Sequence, residues 1–143
     1  MNELLALTIG EVEVSMDLAK MIDIKPIYFD LGKSKIRPDA AIELNKVVAI
    51  MKEYPNMIIE LGAHTDCRGG AAANLKLSGA RAVAAAGHIV KQGIDKPRIS
   101  GKGYGESKLL NTCGCEGKVK STCTEYEHSV NRRTEFIIVK LKN

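Results

Sequence analysis

Residues 57–93 read MIIELGAHTDCRGGAAANLKLSGARAVAAAGHIVKQG and combine three elements in succession. The first eight residues, 57–64, are rich in β-branched and apolar side chains, which predicts a buried strand. Residues 65–70 (TDCRGG) are turn-forming. An alanine-rich helix is predicted over about residues 72–92, and Gly93 is suited to end it in the left-handed conformation. A strand, a loop and a helix in this order predict a helix that packs on a sheet.

The flanking sequence predicts four more strands and two more helices. Pro38 opens a helix with Asp39 in its first turn, and Pro55 cannot continue that helix. We predict strands over residues 8–16, 27–29, 97–104 and 134–141, and a short helix over residues 125–130. The last strand is expected to be buried on both faces, because its four central residues are apolar. The predicted fold class is α+β, an α/β two-layer sandwich whose mixed sheet is covered on one face by two main helices, in the order β-α-β-α-β-β after a first extra strand.

Composition excludes several classes of protein. The chain has 143 residues, of which 45% are hydrophobic and 27% charged, as in an ordinary globular domain. No apolar run approaches the roughly 20 residues of a membrane helix, so no direct membrane span is expected. Aromatic residues make up 4% of the chain and the net charge of +4 is spread along it. Stacking platforms and basic stripes for nucleic acid are therefore not expected.

Candidate binding residues gather around the 65–70 loop. Asp66 follows the predicted strand, where ligands bind in α/β sheets. Asn74, Ser78 and Arg81 are spaced i, i+4 and i+7, so they share one helix stripe with Leu77. The opposite side of the helix, which we expect to pack on the sheet, carries small apolar residues: Val83, Ala86 and Val90.

Two interpretations of this stripe remain open on spacing alone. In the structural one, Asp66 caps backbone N–H groups or forms a salt bridge, and Arg81 is a solvated helix residue. In the functional one, the two residues form a clamp for a zwitterion. Asp66 would accept an ammonium group, and the planar guanidinium of Arg81 would hold a carboxylate through two hydrogen bonds.

Five motifs together resemble the OmpA-like C-terminal domain, a family that binds peptidoglycan. They are IYFDLGKSKIRPDA (27–40), HTDCRG (64–69), NLKLSGARA (74–82), GIDKPRISGKGYGES (93–107) and NRRTEF (131–136). The resemblance covers about residues 24–142. It divides the chain into an N-terminal lead-in segment with an extra strand, residues 1–23, and an OmpA-like domain, residues 24–143. One departure is a glycine, Gly79, followed by Ala80, where many members have a bulkier residue.

The resemblance implies a ligand and a set of contacts. The ligand would be the peptidoglycan stem peptide, gripped through its diaminopimelate residue. By motif position, Asp66 would meet the diaminopimelate ammonium and Arg81 its carboxylate. The remaining contacts implied are Asn74, Thr65, Asp30, Leu77 and Arg132, with Arg132 preferred over Arg133. The interaction is non-covalent, so we expect no catalytic residue, cofactor or metal.

The resemblance also implies a location. We expect a periplasmic domain that anchors an outer-membrane protein or lipoprotein to the cell wall. The N-terminus has no basic region before its short apolar stretch, so we expect no signal peptide there. A domain of a longer exported protein, tethered to the outer membrane through another part of its parent chain, reconciles these expectations.

Four cysteines support an oxidising compartment. They are Cys67, Cys113, Cys115 and Cys123, three of them in one polar loop. Four cysteines allow three pairings, and we favour Cys115–Cys123 with Cys67–Cys113. A zinc site that uses three of these cysteines and His128 is the weaker alternative, because the C-x2-C spacing is missing.

Two alternative functions were weighed. A protein–protein interaction module would use the cysteine-rich loop, residues 111–123, as its interface. A small cell-wall-peptide hydrolase would use His64 as a base or Ser78 as a nucleophile. The hydrolase is the weaker of the two, because the sequence has no G-x-S-x-G elbow.

Overall fold

The computed structural model describes residues 14–115 and 121–141. This part of the chain forms three helices and three strands, with 3-10 turns at Leu18–Lys20 and Lys96–Arg98. In chain order they are α1 (Pro38–Glu53), β1 (Ile58–His64), α2 (Ala71–Lys91), β2 (Ile99–Gly105), α3 (Glu125–Ser129) and β3 (Thr134–Lys140). The α+β class is confirmed. Most of the strand predicted over residues 8–16 lies outside the described residues.

The sheet has the order β2-β1-β3 and is mixed. β1 pairs in parallel with β2 and antiparallel with β3. Ile59 and Leu61 of β1 and Phe136 of β3 are buried and belong to the core shared with α1 and α2. Val139 is 46% exposed, so the expectation that β3 is buried on both faces is wrong. The reason is that the two main helices cover only one face, and alternate residues of β3 face away from it.

α1 begins and ends where the prolines predict. Pro38 occupies its first turn, and Leu44, Val47 and Met51 are fully buried on one stripe. Its C-terminal end is fixed by Arg98, whose guanidinium donates to the carbonyls of Met51, Tyr54 and Met57 at 2.6, 2.8 and 3.0 Å. The bond to Met51 satisfies a carbonyl that the helix end leaves without an intrahelical partner, and the other two join the helix end to the turn that follows it.

α2 lies unusually close to β2 because glycines meet at the contact. A Cβ at Gly103 would lie 2.1 Å from the backbone nitrogen of Gly79, and one at Gly101 would lie 2.4 Å from the carbonyl oxygen of Ala82. The buried face of α2 carries mostly small or polar residues, Asn74, Ser78, Ala82, Ala85 and Ala86, with Ile89 near its C-terminal end. The expected burial of Ala86 is confirmed, but Asn74 and Ser78 lie on the buried face and not opposite it, as the sequence had indicated. Val83 is 66% exposed, so its predicted packing on the sheet is wrong.

Residues 27–29 do not form the predicted strand. The preceding segment is held by α1 instead: the Lys25 N–H donates to the Glu43 carboxylate at 2.8 Å, and Lys46 Nζ donates to the Asp23 carbonyl at 2.9 Å. Side chains of α1 thus take hydrogen bonds that a neighbouring strand would otherwise supply. Ile27 still packs against the core.

The outer edge of β3 is paired with the lead-in segment. The Ser15 N–H donates to the Ile138 carbonyl at 2.7 Å, and the Ile138 N–H donates to the Met16 carbonyl at 3.0 Å. The Asp17 carboxylate accepts the Phe136 N–H at 2.9 Å. Leu18 follows and is fully buried in the core. None of the described helices is long and apolar enough to cross a membrane.

Candidate functional site

The site is built on the loop that joins β1 to α2, residues 65–70. Two glycines with positive φ, Gly69 (97°) and Gly70 (90°), turn the chain sharply into the helix, a conformation that favours glycine. Asp66 is 5% exposed. Its Oδ1 accepts the Arg68 N–H at 2.9 Å, which closes the loop on itself. The capping role that spacing left open for Asp66 is therefore filled within its own loop.

Asp66 belongs to a four-residue charge network with Arg68, Arg132 and Glu125. Its Oδ2 accepts from Arg68 Nη2 at 2.8 Å and from Arg132 Nη1 at 2.7 Å. Glu125 accepts the other arms of the same two guanidinium groups, at 2.9 Å from Arg68 and 2.6 Å from Arg132. Two acids and two bases thus alternate in a closed, formally neutral ring.

The ring changes the pKa values of its acids. Burial raises the pKa of Asp66, but the hydrogen bonds from Arg68 and Arg132 outweigh it and the net pKa is below its usual value. Hydrogen bonds from the same two arginines lower the pKa of Glu125, which is exposed. Hydrogen bonds to Asp66 and Glu125 raise the pKa of Arg68. These shifts keep Asp66, Glu125 and Arg68 charged at neutral pH.

Asn74 and Thr65 fasten the loop to the fold. Asn74 Nδ2 donates to the carbonyls of Asp66 and Arg68 at 3.2 and 2.9 Å. Thr65 donates its hydroxyl to the Asp66 carbonyl at 2.8 Å and its N–H to the Gly105 carbonyl at 2.8 Å. The ends of β1 and β2 and the first turn of α2 thereby hold Asp66 in one place.

Arg81 forms a second centre. Its Nε donates to the Lys33 carbonyl at 2.9 Å and its Nη2 to the Asp30 carbonyl at 3.3 Å. The guanidinium carbon lies 4.9 Å from the centre of the Phe29 ring. In the described part of the chain no carboxylate lies within ion-pair distance of it, and burial lowers its pKa. Arg81 is a half-buried, oriented cation without an acidic partner among those residues.

The structure therefore gathers the predicted contacts into two groups. Asp66, Arg132, Asn74 and Thr65 form one, and Arg81 with the Asp30 carbonyl forms the other. No hydrogen bond or ion pair joins Asp66 to Arg81 within residues 14–115 and 121–141; the salt bridges of Asp66 are with Arg68 and Arg132. The Asp30 side chain faces Arg37 at 3.5 Å. Leu77 is partly buried on α2, where it lies between Asn74 of the first group and Arg81 of the second.

Sequence reasoning missed three members of the site. Arg68 and Glu125 close the charge network, and Phe29 carries the guanidinium of Arg81. Arg68 stood in the quoted HTDCRG motif, next to Asp66, and that adjacency was the available signal. Nothing in the sequence marks Glu125, because Arg68, one of its two partners, lies far from it along the chain.

The disulfides are Cys67–Cys115 and Cys113–Cys123. The expected pairing, Cys115–Cys123 with Cys67–Cys113, is wrong by an exchange of partners. Cys113 and Cys115 are separated only by Gly114, so loop length did not distinguish the two pairings. All four cysteines are in disulfides. The zinc alternative would require these bonds to be reduced first.

The two residues weighed for hydrolysis hydrogen-bond to different groups. His64 Nε2 contacts Glu135 at 2.9 Å, and the ring stacks on Tyr104 with centroids 5.0 Å apart. Burial and the charge of Arg133 lower the pKa of His64, against the opposing effect of Glu135. Ser78 donates its hydroxyl to the Leu75 carbonyl at 3.0 Å and accepts the Gly105 N–H at 2.9 Å. Both side chains hold elements of the fold together.

The fold and the site together define a class of protein: an α+β domain whose charged groups lie at the end of the central strand. The sequence model of the OmpA family matches residues 28–122. This match spans more than half of the chain, and the chain belongs to the OmpA family.

Curated relatives share part of their length with this chain. Photosystem I P700 chlorophyll a apoprotein A2 of Gloeobacter violaceus is 43% identical over 112 residues, 78% of this chain. Outer membrane porin F of Pseudomonas fluorescens is 35% identical over 76% of the chain, and a peptidoglycan-associated lipoprotein of Rhizobium meliloti is 33% identical over 61%. The chain covers 12%, 31% and 49% of these three proteins.

A solved structure shares the fold. The peptidoglycan-associated lipoprotein of Burkholderia pseudomallei superposes with a TM-score of 0.65 at 22% identity, over 80% of this chain and 90% of that one. The two proteins therefore share the fold described above.

Proposed function

We propose that this chain binds peptidoglycan non-covalently, through the diaminopimelate residue of the stem peptide, and anchors an outer-membrane protein or lipoprotein to the cell wall. Membership of the OmpA family supports the proposal, as does the relative named a peptidoglycan-associated lipoprotein. The proposal is one of binding and involves no catalytic residue or cofactor.

The observation that carries the proposal is the state of Arg81. A guanidinium has five N–H donors, of which two are taken by the carbonyls of Lys33 and Asp30. Those bonds and the Phe29 ring orient the fork and leave its other arm without a partner in the described part of the chain. A carboxylate is the group that matches a planar fork through two hydrogen bonds. Arg81 therefore holds the diaminopimelate carboxylate.

Asp66 supplies the complementary charge for the diaminopimelate ammonium. It is fixed by Asn74 and Thr65, so its position is set before a ligand arrives. Arg132 stands at 2.7 Å from it and completes this side of the site. Leu77 and the Asp30 backbone form the wall toward Arg81.

The disulfides agree with a periplasmic location, because such bonds persist in oxidising compartments. We place the domain there, tethered to the outer membrane through another part of its parent chain. We propose that the OmpA-like domain begins at residue 24. Leu18 is fully buried in the core, so the lead-in segment contributes to the stability of the domain.

Calorimetric titration with a stem tripeptide that ends in diaminopimelate tests the proposal. Wild-type protein should give saturable heat, and Arg81→Ala should weaken binding by about tenfold or more, the range of a charge-assisted hydrogen bond of about 1.5–3 kcal/mol. Arg81→Lys should recover only part of the affinity, because an ammonium lacks the fork.

Lys91→Ala is the matched control, since it removes the same charge from an exposed position at the far end of α2. Equal affinities of Arg81→Ala and wild type would contradict the proposal. Analysis of the peptide after prolonged incubation adds an independent check, because cleavage products would indicate an enzyme instead.

A further inference from the structure

The Asp66 carboxylate has no accessible place for a ligand ammonium in this structure. Oδ1 accepts the Arg68 N–H, and Oδ2 accepts from both Arg68 and Arg132. The Asp66 side chain is only 8% exposed. One acceptor position on Oδ1 is left, but the side chain is nearly closed to solvent, so an incoming ammonium reaches Asp66 by displacing one of the two guanidinium groups.

Arg68 is the guanidinium that can leave with less disturbance. Its bond to Asp66 joins residues two apart on one loop, and its side chain is 46% exposed. Arg132 lies 66 residues from Asp66, is 39% exposed, and links the α3 region to the 65–70 loop. Release of Arg132 would break a tertiary contact, whereas release of Arg68 breaks a local one.

Glu125 provides a place for the displaced side chain. It holds Arg68 Nη1 at 2.9 Å while Nη2 contacts Asp66. When Nη2 leaves Asp66, the guanidinium keeps an acidic partner at the 67%-exposed Glu125. The exchange therefore leaves neither arginine nor acid without a counter-charge.

We propose that Arg68 is a gate on the binding site: it occupies the position of the ligand ammonium at Asp66, and when a cationic ligand replaces it there it stays paired with Glu125 alone. This inference rests on the proposed function and deepens it. A buried carboxylate that loses one cation without gaining another is strongly destabilised. The gate therefore opens for a ligand that brings its own ammonium and stays closed for one that does not.

Binding of two peptides distinguishes a gate at Asp66 from a general effect of charge on affinity. One is the stem tripeptide that ends in diaminopimelate, and the other ends in 2-aminopimelate, which lacks the distal ammonium. Arg68→Ala should bind the first peptide about fivefold more tightly than wild type does, because an internal competitor worth about 1 kcal/mol is gone. It should bind the second peptide no more tightly than wild type.

Glu125→Gln should have the opposite effect. Without its acidic holding site, Arg68 stays on Asp66, and affinity for the diaminopimelate peptide should fall by about two- to fivefold, the range of an exposed ion pair. Arg68→Lys keeps a positive charge on the loop, but an ammonium cannot bridge the two acids as a fork does, so its affinity should lie between those of wild type and Arg68→Ala. Lys91→Ala again controls for net charge.

The outcomes distinguish the gate from the proposed function. Weaker binding of the diaminopimelate peptide by Arg68→Ala, with circular dichroism and melting unchanged, would show that Arg68 supports the site and would overturn the gate alone. Tighter binding of both peptides would also overturn it, since the effect would not depend on the ammonium. Absence of binding by both wild type and Arg68→Ala would overturn the gate together with the proposed function.

Discussion

Asp66 shows how a single buried charge is made tolerable. Its carboxylate is 8% exposed, and an isolated ion in such a place would be strongly unfavourable. Two guanidinium groups and one backbone N–H compensate it, and Glu125 balances the second guanidinium. The residue thereby acts as a fixed negative point at the end of β1.

Acid should reveal the contribution of this carboxylate to stability. The pKa of Asp66 is lower in the folded protein than the usual value of about 3.9, so its stabilising effect is fully present above that pH and is lost as pH falls through the folded pKa. Asp66→Asn should lower the free energy of unfolding by about 3 kcal/mol at pH 7, since it removes one member of a buried ion network. The difference between the two proteins should narrow below about pH 4.

Urea unfolding of both proteins at a series of pH values measures this difference. Glu135→Gln serves as a comparison, because Glu135 is a second carboxylate with a lowered pKa but lies outside the charge network. If the free energies of unfolding of wild type and Asp66→Asn differ by the same amount from neutral to acid pH, the stabilising role of the ionised Asp66 carboxylate is contradicted.

At the scale of the elements, the contact of α2 with β2 depends on glycine at two strand positions. Gly101 and Gly103 let the helix backbone approach until added Cβ atoms would overlap it. Asn74 and Ser78 can face the sheet there because the strand end provides hydrogen-bond partners, including the Gly105 N–H for Ser78. The same approach keeps the first turn of α2 over the 65–70 loop.

Alanine substitutions at glycines on the two sides of this contact should have opposite effects. Gly103→Ala should destabilise by about 2 kcal/mol or more, because its Cβ would lie 2.1 Å from the Gly79 nitrogen. Gly79→Ala should stabilise by about 0.5–1 kcal/mol, because its own Cβ would meet nothing within 4 Å and alanine favours a helix. Thermal unfolding of both variants measures the two changes in stability. Gly87→Ala should resemble Gly79→Ala, because a Cβ added at Gly87 would also meet nothing within 4 Å.

The sequence predicted the elements whose signals are local. Prolines delimited α1, β-branched residues marked β1, and Ala71–Lys91 forms a helix within one residue of the expected bounds. The predictions that were wrong concern segments whose structure depends on residues distant in sequence. Residues 27–29 have strand-like composition, but side chains of α1 take the backbone hydrogen bonds of the segment before them. Val83 faces solvent because glycines on β2, distant in sequence, determine which face of α2 packs.

The candidate site could be proposed from the sequence in part, and its residues stay a prediction. Motif positions gave the residues Asp66, Arg81, Asn74 and Thr65, and the structure anchors each of them near the β1–α2 loop or the 30–33 turn. The charge network around Asp66 was predictable only in part. Arg132 was among the residues given by motif position, whereas Arg68, a loop neighbour without periodicity, and Glu125, which pairs with both arginines, were not predicted.

At the scale of the whole molecule, the disulfides connect the two sides of the charge network. Cys67 lies between Asp66 and Arg68, and Cys123 lies two residues before Glu125. Cys113, Gly114 and Cys115 join the two bonds in series. A covalent path therefore runs from the 65–70 loop to the N-terminus of α3, and residues 113–115 are the only part of the intervening main chain that it uses.

Removal of the two disulfides should have unequal costs. Cys67–Cys115 spans 48 residues and Cys113–Cys123 spans 10, so chain entropy alone gives about 4 and about 3 kcal/mol respectively. Urea unfolding of Cys67→Ser/Cys115→Ser and of Cys113→Ser/Cys123→Ser, under non-reducing conditions, measures both. Reduced wild-type protein is the control, and a larger loss for the shorter bridge would contradict a dominant role of chain entropy.

The pairing of residues 15–17 with β3 has a mechanical consequence. A pulling force applied to the chain before residue 14 reaches the domain first through the Ser15 and Ile138 hydrogen bonds and the Asp17–Phe136 bond. Leu18, fixed in the core just behind them, resists the next displacement. Rupture under force is governed by the rate of unfolding rather than by equilibrium stability. The resistance of this domain to a pulling force therefore depends on the outer edge of β3. That strand carries none of the residues proposed to bind the ligand.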